Sequence, residues 1–226
     1  MSAKIKIDLP AVLAADKPII LDLGCGKHKK PGRIGIDALE IEGVDIIADI
    51  DQGLPFFPDS SVDEIHSNHF LEHLRDLETV LTEMGRILKP GGRVQSFVPH
   101  FSNPHYYSDY THKTFFGLYT LDYFTDGGTT YRRQVGCYSS RVRVQVISRR
   151  YIFSSRFKLV HLFRKGLQAL VNSHPLAQEF YEENLCWMFP CHGLEFIFSA
   201  QSLEKASSHN SPVSAATQPE AALSPG

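Results

Sequence analysis

An α/β domain built on a mostly parallel sheet is the fold class this sequence predicts, and three observations predict it. The apolar run Ile19-Ile20-Leu21-Asp22-Leu23 feeds a tight turn, Gly24-Cys25-Gly26. A second run, Arg33-Ile34-Gly35-Ile36, ends in the carboxylate of Asp37. Further short apolar runs then alternate with one long stretch of helical periodicity. A strand entering a Gly-x-Gly turn beside a strand-end carboxylate is what a nucleoside pocket at the edge of a parallel sheet requires.

Taken in order, residues 1–17 read as an N-terminal arm, with Pro10 to Ala15 as a short helical turn. Ile19 to Leu23 is a strand buried on both faces. Gly24 and Gly26 let the backbone turn and approach a ligand with no Cβ in the way. So few residues separate Gly26 from the strand at Arg33 to Ile36 that the usual intervening helix shrinks to a turn. Val44 to Ala48 is a third strand, with Asp49 and Ile50 at its end. Val62 to His66 is a fourth, and Ser67 to Leu74 opens a helix. Leu77, Val80, Leu81, Met84, Ile87 and Leu88 mark the buried face of that helix. Lys89-Pro90-Gly91-Gly92 stops it, and Arg93 to Val98 alternates as a fifth strand.

Size and composition bound the reading. A chain of 226 residues accommodates one α/β domain carrying an insertion. The apolar fraction of 42% and charged fraction of 21% are those of an ordinary globular protein. No apolar run is long enough to span a bilayer, and Met1 to Asp8 lacks a hydrophobic signal core, so a cytoplasmic location is expected. Cys25, Cys137, Cys186 and Cys191 form no Cys-x-x-Cys pair and are expected as free thiols, with no metal site. The net charge of −2 hides a polarised distribution. No acidic residue falls between Asp126 and Glu179, an interval holding Arg132, Arg133, Arg141, Arg143, Arg149, Arg150, Arg156, Lys158, Arg164 and Lys165. Such a block would attract an anionic substrate, a nucleic acid or an acidic membrane, or would serve as a solvated face.

The ordered set Leu21-Asp22-Leu23-Gly24-Cys25-Gly26, Gly35-Ile36-Asp37, Leu54-Pro55-Phe56 leading to Asp59-Ser60-Ser61-Val62-Asp63, Leu71-Glu72-His73-Leu74, and Arg86-Ile87-Leu88-Lys89-Pro90-Gly91-Gly92 resembles a class I S-adenosylmethionine-dependent methyltransferase of the type 11-like group. The resemblance covers about residues 18–100. It implies a Rossmann-like, seven-stranded, mostly parallel sheet with helices on both faces and an aromatic, histidine-rich insertion after the fifth strand. It implies S-adenosyl-L-methionine as cofactor and S-adenosyl-L-homocysteine as product. Asp22, Gly24, Cys25 and Gly26 would pass the methionine part, Asp37 with Ala38 would hold the ribose, Asp49 and Ile50 the adenine, and Asn68 or His69 would lie near the sulfonium. Lys29, where a third glycine would complete Gly-x-Gly-x-x-Gly, departs from the fuller nucleotide-binding pattern. The domain is expected over 18–201, with a substrate-capping insertion over about 99–150 and a disordered tail over 202–226, whose Ser, Ala, Pro and Gln content cannot bury enough surface to order itself.

The acceptor should be read in residues 99–140, which follow the fifth strand on the carboxyl edge of the sheet. His100, His105, Tyr107, Asp109 and His112 are the catalytic candidates there. One histidine could serve as general base for an acceptor hydroxyl or amine. His105, Asp109 and His112, at helical spacing, could hold a metal. All of them could instead be structural and line the substrate. The first and third readings outweigh the second, because prolines and an asparagine interrupt any helix from 103. Thr114 to Phe124 is expected as a helix with a threonine cap.

Val135 to Val146 is expected as extended, the last sheet strands at Tyr151 to Phe157 or its upstream neighbour and at Leu194 to Ala200. Arg156 to Val171 forms an amphipathic helix with Leu159, Leu162, Phe163, Leu167 and Leu170 on one face. It either packs on the sheet or in a dimer contact, the favoured reading, or makes a peripheral membrane contact over 156–171. The expected partner is a small-molecule acceptor, with no nucleic acid, for a monomer or homodimer. The principal function expected is methyl transfer to an oxygen or nitrogen of a small or medium acceptor, an anionic one being compatible with the basic block. Non-methyl chemistry releasing methylthioadenosine, or a non-catalytic cofactor- or nucleic-acid-binding module, are the alternatives.

Overall fold

The structure, a computed structural model, describes residues 3–127 and 131–203. The expected tail lies, from residue 204 on, outside the described residues. Eight strands form one sheet: β1 (Lys4–Ile5), β2 (Ile20–Leu23), β3 (Ile34–Asp37), β4 (Ile46–Ile47), β5 (Val62–Asn68), β6 (Leu88–Pro99), β7 (Val142–Ile152) and β8 (Gly193–Ser202). Their spatial order is β1-β4-β3-β2-β5-β6-β8-β7. β4, β3, β2, β5 and β6 run parallel, whereas β8 is antiparallel to both β6 and β7. The eighth strand, beyond the seven expected, is β1, a two-residue antiparallel addition to β4 from within the N-terminal arm.

The sheet has two unlike faces, and sequence alternation makes them so. The register Leu21↔Ile65↔Val94↔Phe198 aligns apolar residues on one face. That face is fully buried. Helix α2 (Leu77–Ile87) packs there against β8, and a Cβ at Gly85 would meet the Ser202 nitrogen at 2.6 Å. The opposite face carries Asp22↔His66↔Gln95 in register, with Glu64 and Glu195 beside them. His66 Nε2 lies 2.9 Å from Glu64, and Gln95 donates to Glu195 at 3.4 Å. A polar face of this kind follows from the shortened β2–β3 connection, which is a single turn at Gly26–His28 where a longer crossover would carry a covering helix.

Several elements differ from expectation. Backbone after β5 stays extended through Asn68 and makes one turn at Leu71–His73, and α2 begins only after Asp76, whose side chain caps the Thr79 nitrogen. Thr114 to Phe124 is not a continuous helix: Phe116 bridges to His100, and only Thr120–Phe124 turns. Extended structure begins at Val142 rather than Val135, and β7 runs unbroken to Ile152 across a bulge between Val146 and Ser148.

The bulge reverses the alternation and brings Arg149 to the buried face. There Arg149 forms a bidentate pair with Asp122 at 2.7 and 2.8 Å, donates to the Leu118 carbonyl and lies over the Tyr131 ring. Burial opposes the guanidinium charge, but Asp122 outweighs it and holds Arg149 above its ordinary range.

Helix α1 (Leu9–Ala14) confirms the short turn read near Pro10. Helix α3 (Lys158–Val171) runs beside the outer strand. Asn172 pairs with both the N–H and the carbonyl of Tyr151, and Gln168 accepts from the Phe153 nitrogen. Its apolar stripe packs on the sheet only in part: Leu167 and Val171 reach the core, whereas Leu159, Leu162, Phe163 and Leu170 are 85%, 72%, 58% and 66% exposed. A short helix, α4 (Pro175–Phe180), and a turn at Tyr181–Leu185 lead to β8. No described helix is long and apolar enough to cross a membrane.

Candidate functional site

The carboxyl ends of β2, β5 and β6 open into a cavity of about 620 Å³. Asp22, Gly24, Cys25, Gly26, Asn68 and His69 line it, together with His66, Gln95, Phe97 and Glu195 from the polar face. Gly24 (φ +64) and Gly26 (φ +50) both turn through the left-handed region. At Gly24 a Cβ would strike the Phe70 ring at 2.4 Å, so the glycine lets Phe70 pack beneath the loop. Nothing fills the space a Cβ would take at Gly26, which leaves its backbone open to a ligand.

Asp37 stands at the end of β3 and organises this loop, its Oδ2 accepting from the Gly26 nitrogen at 2.9 Å and its Oδ1 from the Leu39 nitrogen. Each oxygen retains a lone pair for a ribose hydroxyl. Asp37, Ala38, Asp49 and Ile50 lie outside the cavity lining itself. Ile50 is buried in the core, and Asp49 is held by Arg75 at 3.0 Å. Burial, with Asp37, Asp22 and Asp45 adding to it, pushes the Cys25 thiol up to about 11, so it lines the loop as a neutral thiol. The four cysteines are free, as expected.

Of the catalytic candidates, His100 is not placed to meet an acceptor. It is fully buried, its Nδ1 accepts from the Ser102 nitrogen, and its Nε2 therefore donates to Glu182 at 3.1 Å. Glu182 also accepts from the Tyr151 hydroxyl and the Leu118 nitrogen. This hub escaped sequence reading because its members are separated by tens of residues. Tyr107 is exposed and donates to the Phe101 carbonyl. Asp109 turns back on Thr111. The supposed helix through 105, 109 and 112 is only a turn at Pro104–Ser108; Asp109 and His112 still approach each other, Oδ2 to Nε2 at 3.7 Å, but no continuous helix sets His105 on one face with them. His105 is exposed on that turn.

One further residue, not singled out by sequence, lies against two of the cavity's lining residues. The ring of His192, in the loop before β8, lies tilted 5.6 Å from that of Phe97 and edge-on 6.1 Å from that of His69, both cavity residues. Burial lowers its pKa below 6.5, and His69, His105 and Arg164 add to the shift. A lone histidine some ninety residues downstream of the histidine segment carried no local signal.

A larger cavity, about 810 Å³, lies beyond β6 between Phe101, Tyr119 and α4. It sets Arg132 and Arg133 against Glu179, Glu182 and Glu183, so it presents no single sign of charge. Asp122 likewise neutralises Arg149, and Asp126 pairs with Arg143. The basic block is thus partly compensated in space.

A parallel sheet in this order, with a glycine-loop cavity at its carboxyl edge and a strand-end carboxylate behind the loop, has the arrangement of an open α/β sheet that binds a nucleoside-bearing ligand. Residues 27–95 match the family described as "Methyltransferase domain". That match begins just after the glycine loop and spans the strand-end carboxylate and the strands and helix that follow. Among solved structures, it is similar to a SAM-dependent methyltransferase from Archaeoglobus fulgidus, at 17% identity over 84% of this chain and 89% of that one, with a TM-score of 0.48. It is similar to the YcgJ protein from Bacillus subtilis at 17% identity over 85% and 97%, TM-score 0.47. A Haemonchus contortus phosphoethanolamine N-methyltransferase 2, bound to phosphomonomethylethanolamine and S-adenosylhomocysteine, matches at 14% over 85% and 51%, TM-score 0.43. A search of curated proteins finds no match.

The lining residues fit S-adenosylmethionine, the cofactor that the sequence resemblance implies. The cavity volume is that of a small-molecule site. Asp22 and Glu195 suit an ammonium group, Lys30 and Arg33 a carboxylate, and Phe97 and His69 a sulfonium.

Proposed function

We propose that this protein transfers a methyl group from S-adenosylmethionine to an oxygen or nitrogen of a small or medium acceptor, with His192 as the general base. The observation that carries this reading is the half-buried imidazole of His192 beside Phe97 and His69, two residues of the cavity lining. The bound cofactor supplies an electrophilic methyl on a sulfonium. What remains for the protein is to align the acceptor and accept its proton. Neutral at pH 7, His192 can take that proton, and Gly24 and Gly26 with Asp37 hold the cofactor in place. Compensation of Arg149 and Arg143 by their carboxylates weakens the argument for an anionic acceptor, so a neutral hydroxyl or amine compound is the reading adopted.

The test is incubation of the enzyme with methyl-labelled cofactor and small-molecule extracts, read by mass spectrometry. S-adenosylhomocysteine with a labelled acceptor is the expected result. Methylthioadenosine would favour attack on another sulfonium carbon, and cofactor binding without turnover would favour a binding module. In calorimetry, Asp37→Asn should weaken cofactor affinity by about 10²-fold, through loss of charged hydrogen bonds to the ribose and loosening of the Gly26 loop. Unchanged affinity would remove the ribose role.

A further inference from the structure

We propose that Glu72, His73 and His112 form a binding site for a divalent transition-metal ion of the zinc type. Their nearest ligand atoms lie within 4.8 Å of one another. The assignment does not rest on the methyl-transfer reading; it comes from proton bookkeeping around the three groups. His112 Nδ1 lies 2.9 Å from the Tyr106 carbonyl, which can only accept, so Nδ1 carries the proton and in the neutral ring Nε2, 3.7 Å from Asp109 Oδ2, keeps its lone pair. His73 Nδ1 lies 2.9 Å from the Thr111 hydroxyl, whose own proton goes to Asp109. That hydroxyl therefore accepts from His73, and His73 Nε2 is also left with a lone pair.

Beside these two rings stands Glu72, 0% exposed, its Oε1 4.0 Å from His73 Nε2 and its Oε2 lacking any hydrogen-bond partner. Ligand atoms of the three residues thus lie within 4.8 Å of one another, and the carboxylate among them has an oxygen with no donor. A buried carboxylate left so is costly, and a cation satisfies all three groups at once. Two histidines and one carboxylate suit a first-row divalent ion. Each ring already makes the outer hydrogen bond that ligating histidines use to fix tautomer and orientation.

Backbone bonds assemble the site without an ion: the Lys113 and Thr114 nitrogens both donate to the Glu72 carbonyl, at 2.7 and 3.1 Å. His73, with its side chain 32% exposed, can rotate to shorten its distance and leaves one side open to solvent. Glu72 also accepts from His69 at 3.2 Å, so the ion would tie the 109–114 segment to the wall of the cofactor cavity. The residues chosen from sequence spacing, His105 and Asp109, are not ligands here, and only His112 is shared.

The test is Zn²⁺ titration of tag-free protein pretreated with chelator, without cofactor, followed by elemental analysis. One equivalent per chain should bind. His112→Ala and His73→Ala should each lose more affinity than Thr111→Val, which should lose about 10–100-fold by removing an outer partner. His161→Ala should bind as wild type. If His112→Ala fails to fold, Thr111→Val and the visible spectrum of the Co²⁺ form carry the test. No stoichiometric binding at tens of micromolar Zn²⁺, or binding indifferent to Thr111 and His73, overturns the site.

A second observation stands apart from this one. The exposed stripe of α3, continued by Phe157 at 75% exposure, is flanked by Arg156, Lys158, Arg164 and Lys165, with no acidic residue between 127 and 178. We infer that α3 lies on an anionic bilayer surface, its apolar face at the acyl boundary and its basic flanks on the lipid headgroups. In flotation assays the protein should bind vesicles containing phosphatidylglycerol but not pure phosphatidylcholine. High salt or the double change Leu159→Glu, Leu162→Glu should abolish binding. Failure to bind, or a concentration-dependent dimer lost with the same double change, overturns the inference.

Discussion

Asp122→Ala is expected to destabilise the protein by about 3–5 kcal/mol, because it leaves a buried guanidinium without its partner. Arg149 and Asp122 have side chains only 9% and 1% exposed, and the pair is bidentate. What Asp122 offsets is the cost of burying the Arg149 charge, so the loss exceeds that of an exposed pair several-fold. For a domain of this size, a drop in melting temperature on the order of 10 °C should follow in calorimetry. Asp122→Asn keeps an acceptor oxygen but no charge, and should fall between the two. A shift below about 2 °C for Asp122→Ala would show that solvent reaches Arg149 and that the bulge of β7 does not seal it.

The second large effect is on turnover. His192→Ala should lower kcat/KM by about 10²–10⁴-fold while leaving cofactor affinity within a few-fold. A general base works unprotonated, so activity is present above its pKa and lost as pH falls through it. Burial first, then repulsion from His69, His105 and Arg164, lowers that pKa from 6.5. The acid limb of the wild-type pH–rate profile should therefore have its midpoint below 6.5, and His192→Ala should flatten it. Should His192→Ala keep full rate while His105→Ala loses it, the proton acceptor is the exposed histidine of the Pro104–Ser108 turn.

The strands were legible in the sequence where burial on both faces, or strict alternation, left one reading. Ile20–Leu23, Ile34–Asp37 and Gly193–Ser202 fall where their patterns put them. The glycine loop was legible too, since Gly24 and Gly26 adopt the positive φ that marks them. Helix boundaries were less so: the apolar run from Leu71 reads as helix, yet the Asp76 cap starts α2 later. Which histidines come near the cavity was not legible in the sequence, because tertiary partners decide it. Glu182 buries His100, and a loop ninety residues on supplies His192. The stripe of α3 shows a related limit, since periodicity identifies an apolar face but not what covers it.

Asn172 and Gln168 have one more consequence, for association. A side-chain amide that takes both the N–H and the carbonyl of Tyr151 occupies the positions a neighbouring strand would use, and Gln168 takes the next outward N–H at Phe153. This end of the outer strand is therefore closed to another chain. At the opposite border, β1 offers only two residues for pairing. Two copies of this protein meeting in solution would thus join through side-chain surfaces rather than by extending the sheet from the Tyr151 end.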